Sequence, residues 1–67
     1  MRLIVNGAAT DVVGPTVADL LATCLNDARP HGIAVAVNGE VVCRSDWPRW
    51  ALAEADTVEI VTAVQGG

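Results

Sequence analysis

The amino-acid sequence predicts an α+β fold, in which one helix packs across one face of a mixed sheet of four to five strands. Three observations lead to this prediction. Two Asn-Gly dipeptides, at 6–7 and 38–39, each separate two short apolar runs, and this is the strongest short-range signal for a β-hairpin. A single apolar stripe of helical period lies between the two hairpins, and a last β-branched run follows the second.

The first hairpin is predicted from a β-branched run at 3–5, the turn Asn6-Gly7 and a return strand at 10–13. A type I′ turn needs positive φ at both central residues, which Asn and Gly tolerate. Because side chains alternate across a strand, Ile4 is expected on the face opposite to that of its two neighbours. We expect those neighbours, Leu3 and Val5, to lie in the core.

The helix is predicted to begin after Thr16. Gly14-Pro15 ends the preceding strand, and Asp19 stands three residues after Thr16, which is the spacing of a capping box. One apolar stripe follows at helical spacing, formed by Val17, Leu20, Leu21, Cys24 and Leu25. Cys24 is therefore expected to be a small buried side chain rather than a reactive thiol. The helix should end near 26–27, because Pro30 prevents its continuation.

The second hairpin is predicted from strands at 33–37 and 40–43 around Asn38-Gly39. A short turn follows at 45–48. Its Trp47 is expected to cover the core, because a chain of 67 residues needs bulky side chains there. A polar turn at Ala53-Glu54-Ala55-Asp56 then leads to the closing strand.

The closing strand is predicted at Thr57 to Val64, with Val58, Ile60 and Val64 on one face and Glu59, Val61 and Ala63 on the other. Paired in parallel with the first strand at the centre of the sheet, it completes the β-grasp architecture, an α+β roll. The sheet face away from the helix would then show Ile4 and Val61. This small apolar patch on an acidic chain is a candidate docking site for a partner.

The last four residues, Val64-Gln65-Gly66-Gly67, directly follow this strand without a linker. Fully extended, they reach at most about 13–14 Å from the folded body. A thin arm of this length, ending in two residues without side chains, suits insertion into the active site of another protein. We therefore expect one domain over 1–67, in which 64–67 form a flexible functional tail.

Composition excludes several classes of function. The chain has 67 residues and a net charge of −4. Its small size favours a carrier, binder or substrate over an enzyme, and its charge disfavours nucleic acid as a partner. It contains no apolar run long enough to span a membrane. Its two cysteines lack C-x-x-C spacing, so we expect no metal site and a cytoplasmic protein with reduced thiols.

The sequence resembles the ubiquitin-like sulfur carriers of the β-grasp fold, and most of all those of the thiamine pathway. The resemblance covers nearly the whole chain and is most specific at its end. The segments that carry it are Val5-Asn6-Gly7, Thr16-Val17-Ala18-Asp19-Leu20-Leu21, Val35-Ala36-Val37-Asn38-Gly39-Glu40-Val41-Val42 and Val58-Glu59-Ile60-Val61-Thr62-Ala63-Val64-Gln65-Gly66-Gly67. The chain departs from the family at Cys43, where Pro is common, and at Ala55, where Gly is common. If Ala55 adopts a left-handed conformation, the cost is about 1–2 kcal/mol.

The resemblance implies that Gly67 is the site of sulfur attachment. An E1-like adenylyltransferase, related to ubiquitin-activating enzymes, would use Mg-ATP to adenylate the Gly67 carboxylate. Sulfur from a persulfide donor would then form a thiocarboxylate for thiazole synthase. Gly66, Gln65 and Val64 would be needed for entry into the partner's active site. The carrier itself would bind no cofactor and catalyse nothing.

Three alternatives remain open from the sequence. The chain could be a carrier like the small subunit of molybdopterin synthase, in which prolines commonly precede the Gly-Gly pair, whereas Thr62-Ala63 precede the tail here. It could be a ubiquitin-like protein modifier, whose Gly67 becomes joined to a substrate lysine. It could also be an interaction domain whose tail has no role.

Overall fold

The computed structural model describes residues 1–26 and 31–62 of the chain. The elements follow one another in the predicted order. The strands are β1 (Arg2–Val5), β2 (Ala8–Asp11), β3 (Ile33–Val37), β4 (Glu40–Val42) and β5 (Thr57–Thr62). The helix α1 (Val17–Leu25) lies between β2 and β3, and a short 3-10 helix, Arg44–Asp46, follows β4.

The five strands form one sheet in the order β2-β1-β5-β3-β4. β1 and β5 pair in parallel, whereas the β1–β2, β3–β4 and β3–β5 pairs are antiparallel. The last strand of the chain is therefore the central strand of the sheet. This topology confirms the predicted β-grasp architecture.

Both Asn-Gly turns have the predicted geometry. The φ angles are +51° at Asn6, +82° at Gly7, +51° at Asn38 and +84° at Gly39. The return strand of the first hairpin, however, lies at Ala8–Asp11 and not at 10–13. The two-residue turn places Ala8 directly opposite Val5, so turn geometry determines the register despite the low strand propensity of alanine.

The helix begins with the predicted capping box. Oγ1 of Thr16 accepts a hydrogen bond from the Asp19 amide at 3.2 Å, and the Asp19 carboxylate accepts one from the Thr16 amide at 3.1 Å. The prediction that Cys24 is buried was wrong, because Cys24 is exposed and Leu25 is 43% exposed. Only the first two turns of the stripe reach the core, and the last turn extends beyond it. No helix in the described ranges has the length and apolar character needed to cross a membrane.

The core lies between α1 and one face of the sheet. Trp47 is 1% exposed, as predicted, and its indole Nε1 donates a hydrogen bond to the Val42 carbonyl at 3.1 Å. This bond satisfies the polar atom that burial of the indole would otherwise leave unpaired. The other buried apolar residues of the described ranges are Leu3, Val12, Val17, Leu20, Leu21, Val35, Val37, Val42, Leu52 and Val58.

The turn before β5 contains a strained alanine. Ala55 has φ +70°, and its amide donates to the Arg2 carbonyl at 2.8 Å. Ala55 therefore adopts the left-handed conformation whose cost was estimated from the sequence. The carboxylate of Asp56 supports the same turn by accepting from the Ala53 amide at 2.8 Å.

Candidate functional site on the central strand

The strand β5 leads directly to the residues predicted to carry the function. Gly67, Gly66, Gln65 and Val64 lie outside the described residues, as does Ala63. Their predicted roles therefore stay predictions. The described part of β5 pairs on both sides: Val5 lies opposite Val58 in β1, and Ile33 lies opposite Thr62 in β3.

The side chain of Asn6 holds the second half of β5. Its Oδ1 accepts a hydrogen bond from the Ile60 amide at 2.8 Å, and its Nδ2 donates to the Ile60 carbonyl at 3.1 Å. The Asn6 amide also donates to the Val58 carbonyl at 2.9 Å. A turn residue thus forms hydrogen bonds with the main chain of the central strand at both Val58 and Ile60.

The second Asn-Gly turn holds the other end of β5. The Asn38 amide donates to the Thr57 carbonyl at 2.7 Å, and Asn38 Oδ1 accepts from the Thr57 amide at 3.0 Å. Asn38 Nδ2 donates to the Asp56 carboxylate at 3.1 Å. Asparagines from the two hairpin turns therefore bind β5 at its first residue and near its middle.

The sheet face away from α1, which we call the open face, carries both predicted docking residues. Val61 is 60% exposed and Ile4 is partly buried there, as the predicted alternation requires. Val61 lies opposite Ala34 in β3, and Ile4 lies opposite Ala9 in β2. Each of the two residues thus has an alanine as a cross-strand neighbour.

The structure does not bring Ile4 and Val61 together. Ile4 pairs with Thr57, four residues before Val61, so the two lie about 13 Å apart along the strand direction. Glu59 projects from β5 on the same face between them and is exposed. The apolar surface on the open face is therefore divided by a carboxylate near its centre.

A second apolar group on the open face was missed in the sequence. Val41 of β4 is 73% exposed and lies opposite Ala36, which in turn lies opposite Glu59. The alternation of Ala34 and Ala36 with larger residues of β3 could have indicated that this face carries small side chains. The position of Val41 could not be predicted from the sequence, because only the order of the strands in the sheet places Val41 near Val61.

An ion pair marks one edge of the open face. Arg2 Nε donates to Asp11 Oδ1 at 3.0 Å and Arg2 Nη2 to Asp11 Oδ2 at 3.3 Å, with both side chains mostly exposed. The hydrogen bond and the charge of Arg2 lower the pKa of Asp11, and the same contacts raise the pKa of Arg2.

Within residues 1–26 and 31–62, no group of three His, Cys, Asp or Glu side chains is placed to hold a metal ion.

Comparison with known proteins agrees with this architecture. A model of the ThiS family matches residues 3–67. The chain belongs to the ThiS family. A search of curated proteins found no match.

Two solved structures are similar to this ThiS family chain. The crystal structure of the thiamine biosynthesis protein ThiS from Geobacter metallireducens superposes with a TM-score of 0.81 at 33% identity, and the match covers all of both chains. The solution NMR structure of a thiamine biosynthesis protein from Geobacter metallireducens gives a TM-score of 0.73 at 33% identity, covering all of this chain and 88% of that one. The fold is thus the ubiquitin-like β-grasp of the ThiS family, whose members are small sulfur carriers of thiamine biosynthesis.

Proposed function

We propose that this chain carries sulfur for the formation of the thiazole ring, with the Gly67 carboxylate as the point of attachment. The observation that carries the proposal is the position of β5. It is the central strand, it is paired on both sides, and five residues ending in Gly66-Gly67 follow it directly. A rigid body therefore leads into a short segment whose last two residues have no side chains.

The chemistry of a carboxylate explains why a partner enzyme is required. At neutral pH a C-terminal carboxylate is ionised, since its pKa is about 3.3–3.7, and an ionised carboxylate does not react with nucleophiles. We propose that an E1-like adenylyltransferase uses Mg-ATP to convert the Gly67 carboxylate to an acyl-adenylate and release pyrophosphate. The outer sulfur of a persulfide donor then displaces AMP and forms an acyl disulfide. A thiol of the partner enzymes attacks the donor's sulfur in this acyl disulfide, so that a new disulfide forms and the thiocarboxylate is released for thiazole synthase.

Glycine at both final positions suits this chemistry. Gly66 lets the backbone pass through a narrow channel and approach the nucleotide phosphates, because it has no side chain and tolerates unusual φ angles. Gly67 presents an acyl carbon without crowding from a β-carbon. In this proposal Gln65 and Val64 span the distance between the folded body and the channel. The carrier acts as a co-substrate and binds no cofactor itself.

The open face is the proposed contact for the activating enzyme. Val61 and Ile4 supply apolar contact area, and the small side chain of Ala34 opposite Val61 allows close approach of a partner. Glu59 adds a negative charge in the middle. A complementary partner surface would therefore be apolar, with one basic side chain placed to meet Glu59.

Intact-mass spectrometry of the protein purified from its native host, under thiamine limitation, tests the sulfur attachment. We expect a species in which one oxygen at Gly67 is replaced by sulfur. Fragmentation should place the change in the last residue. Covalent adducts between Gly67 and lysines of other proteins would instead indicate a modifier, and the absence of both species would contradict a carrier role.

A second measurement identifies the pathway. ATP-pyrophosphate exchange with the cognate activating enzyme should depend on this chain. Thiocarboxylate formed in that reaction should then support thiazole formation by thiazole synthase. Transfer of sulfur to molybdopterin synthase in place of thiazole synthase would overturn the assignment to thiamine biosynthesis while leaving the carrier chemistry intact.

A further inference from the structure

We propose that Asn6 is a positioning residue, whose side chain fixes β5 at Ile60 so that a partner meets an ordered strand shortly before the C-terminal residues. This inference rests on the proposed function, because the order of β5 at Ile60 affects activation only if a partner binds the C-terminal residues. It adds a role for a turn residue that lies 54 positions from its hydrogen-bonding partner Ile60.

The pairing of β1 with β5 ends before β5 does. The register stops at Val5 opposite Val58, and the Asn6 amide donates to the Val58 carbonyl. In a continuing parallel ladder, the main-chain carbonyl of Asn6 would accept from the Ile60 amide. The chain instead turns away at Asn6, with φ +51°, and the side-chain Oδ1 takes the place of that carbonyl.

The side chain therefore extends the ladder on the β1 side of β5 as far as Ile60. The amide group fits this role because it both accepts from the Ile60 amide and donates to the Ile60 carbonyl. On the other side, β3 pairs with β5 as far as Thr62. With Asn6 in place, both main-chain polar groups of Ile60 are hydrogen-bonded on the β1 side, and Val35 of β3 lies opposite Ile60 on the other side. Without the Asn6 side chain, this part of β5 becomes an edge held by β3 alone.

Loss of the Asn6 side chain should therefore loosen the main chain of β5 at Ile60, which loses both of its hydrogen bonds there. Each residue freed in this way must be ordered again when a partner takes up the C-terminal segment. The entropy of ordering one backbone residue corresponds to a factor on the order of tenfold in an equilibrium constant. A carrier without the Asn6 side chain, with Ile60 freed, should consequently be activated about tenfold less efficiently.

The second turn provides a matched control. Asn38 has the same φ of +51° and is also followed by a glycine. Its side chain likewise makes two hydrogen bonds, of which one goes to the main chain of β5. That contact is at Thr57, at the start of the strand. Replacement of Asn38 therefore removes a comparable interaction without changing the end that leads to Gly67.

The experiment compares Asn6→Gly with Asn38→Gly, since glycine keeps the left-handed turn and removes only the side chain. Amide hydrogen exchange should increase at Ile60 in Asn6→Gly and at Thr57 in Asn38→Gly. kcat/KM for ATP-pyrophosphate exchange with the cognate activating enzyme should fall by about tenfold in Asn6→Gly. It should stay near the wild-type value in Asn38→Gly, measured at a temperature where both variants are folded.

The outcomes separate the positioning role from the proposed function. If the wild-type chain supports no pyrophosphate exchange, the proposed function is wrong and the positioning role fails with it. If the wild-type chain is active and the two variants lose activity equally, the role of Asn6 is only structural. Unchanged protection of the Ile60 amide in Asn6→Gly would also overturn the inference.

Discussion

A β-carbon on Gly14 would lie 2.7 Å from Cγ of Asp19, closer than real contacts of a β-carbon allow. Gly14 also has φ +102°, which side chains rarely adopt. The Asp19 carboxylate at this point accepts the hydrogen bond from the Thr16 amide that closes the capping box. The absence of a side chain at Gly14 therefore leaves room for the Asp19 carboxylate that caps the start of α1.

Gly14→Ala should destabilise the protein by about 2–4 kcal/mol, since it combines the left-handed strain with loss of the cap. Urea unfolding measures the change. Gly32→Ala is the control, because Gly32 has φ +74° and open space around its β-carbon position, so it should cost about 1–2 kcal/mol. Equal losses of unfolding free energy in the two variants would show that Asp19 moves away from the new β-carbon without destabilising the protein.

Ala55→Gly should stabilise the protein by about 0.5–1 kcal/mol. It removes left-handed strain of about 1–2 kcal/mol and adds backbone entropy to the unfolded chain. Thermal and urea unfolding both measure the gain. Ala53→Gly, two residues earlier and outside the left-handed region, should instead lower stability. A loss of stability in Ala55→Gly would mean that the turn changes its conformation.

Val61→Asp should raise KM for the carrier in pyrophosphate exchange by about tenfold or more, because burial of an unpaired carboxylate in an interface costs several kcal/mol. The melting temperature should change little, since Val61 is 60% exposed. Val13→Asp is the matched control, as Val13 is 89% exposed and lies outside the strands of the open face. Similar KM values for the two variants would exclude the open face as the docking surface.

The stability contributed by the Arg2–Asp11 ion pair should depend on pH. The folded pKa of Asp11 is lowered by Arg2, so the contribution is present above the ordinary aspartate pKa of about 3.9 and is lost as the pH falls through the folded value. Urea unfolding of the wild type and Asp11→Asn should therefore differ slightly at neutral pH and converge in acid. Added salt should reduce the difference, since both side chains are exposed.

Deletion of Gly67 should abolish pyrophosphate exchange and leave the melting temperature nearly unchanged. The reacting carboxylate would stop short of the nucleotide by one residue, about 3.3–3.6 Å, and a misplacement of about 1 Å can cost on the order of 100-fold in rate. Gly66→Val keeps the length and adds a β-branched side chain, so it tests the width of the channel. Normal exchange after deletion of Gly67 would refute the carrier mechanism.

Local pattern was sufficient to predict most of the fold. Turn chemistry at Asn6-Gly7 and Asn38-Gly39, the capping box at Thr16 and strand alternation each depend on residues close in sequence. The errors about the start of β2 and the burial of Cys24 arose because contacts outside each local segment determine these features. The turn determined where β2 begins, and the position of α1 over the sheet left Cys24 outside the core.

The candidate site was less predictable for the same reason. The alternation in β1 and β5 placed Ile4 and Val61 on one face, but their separation depends on the parallel register. The positive φ of Asn6 was predictable from its turn. Its side-chain partner was not, because the contact joins residues 54 positions apart and exists only after β5 takes its place in the sheet.

The central position of β5 also affects how the protein is made. A nascent chain that still lacks residues 57–62 can form only the β1–β2 and β3–β4 hairpins, because β5 joins the two halves of the sheet. Isolated hairpins are marginally stable in water, so folding of the sheet should wait until residues 57–62 have left the ribosome. The open face, with Val61 on it, then exists only in molecules whose synthesis has reached the strand that leads to Gly67.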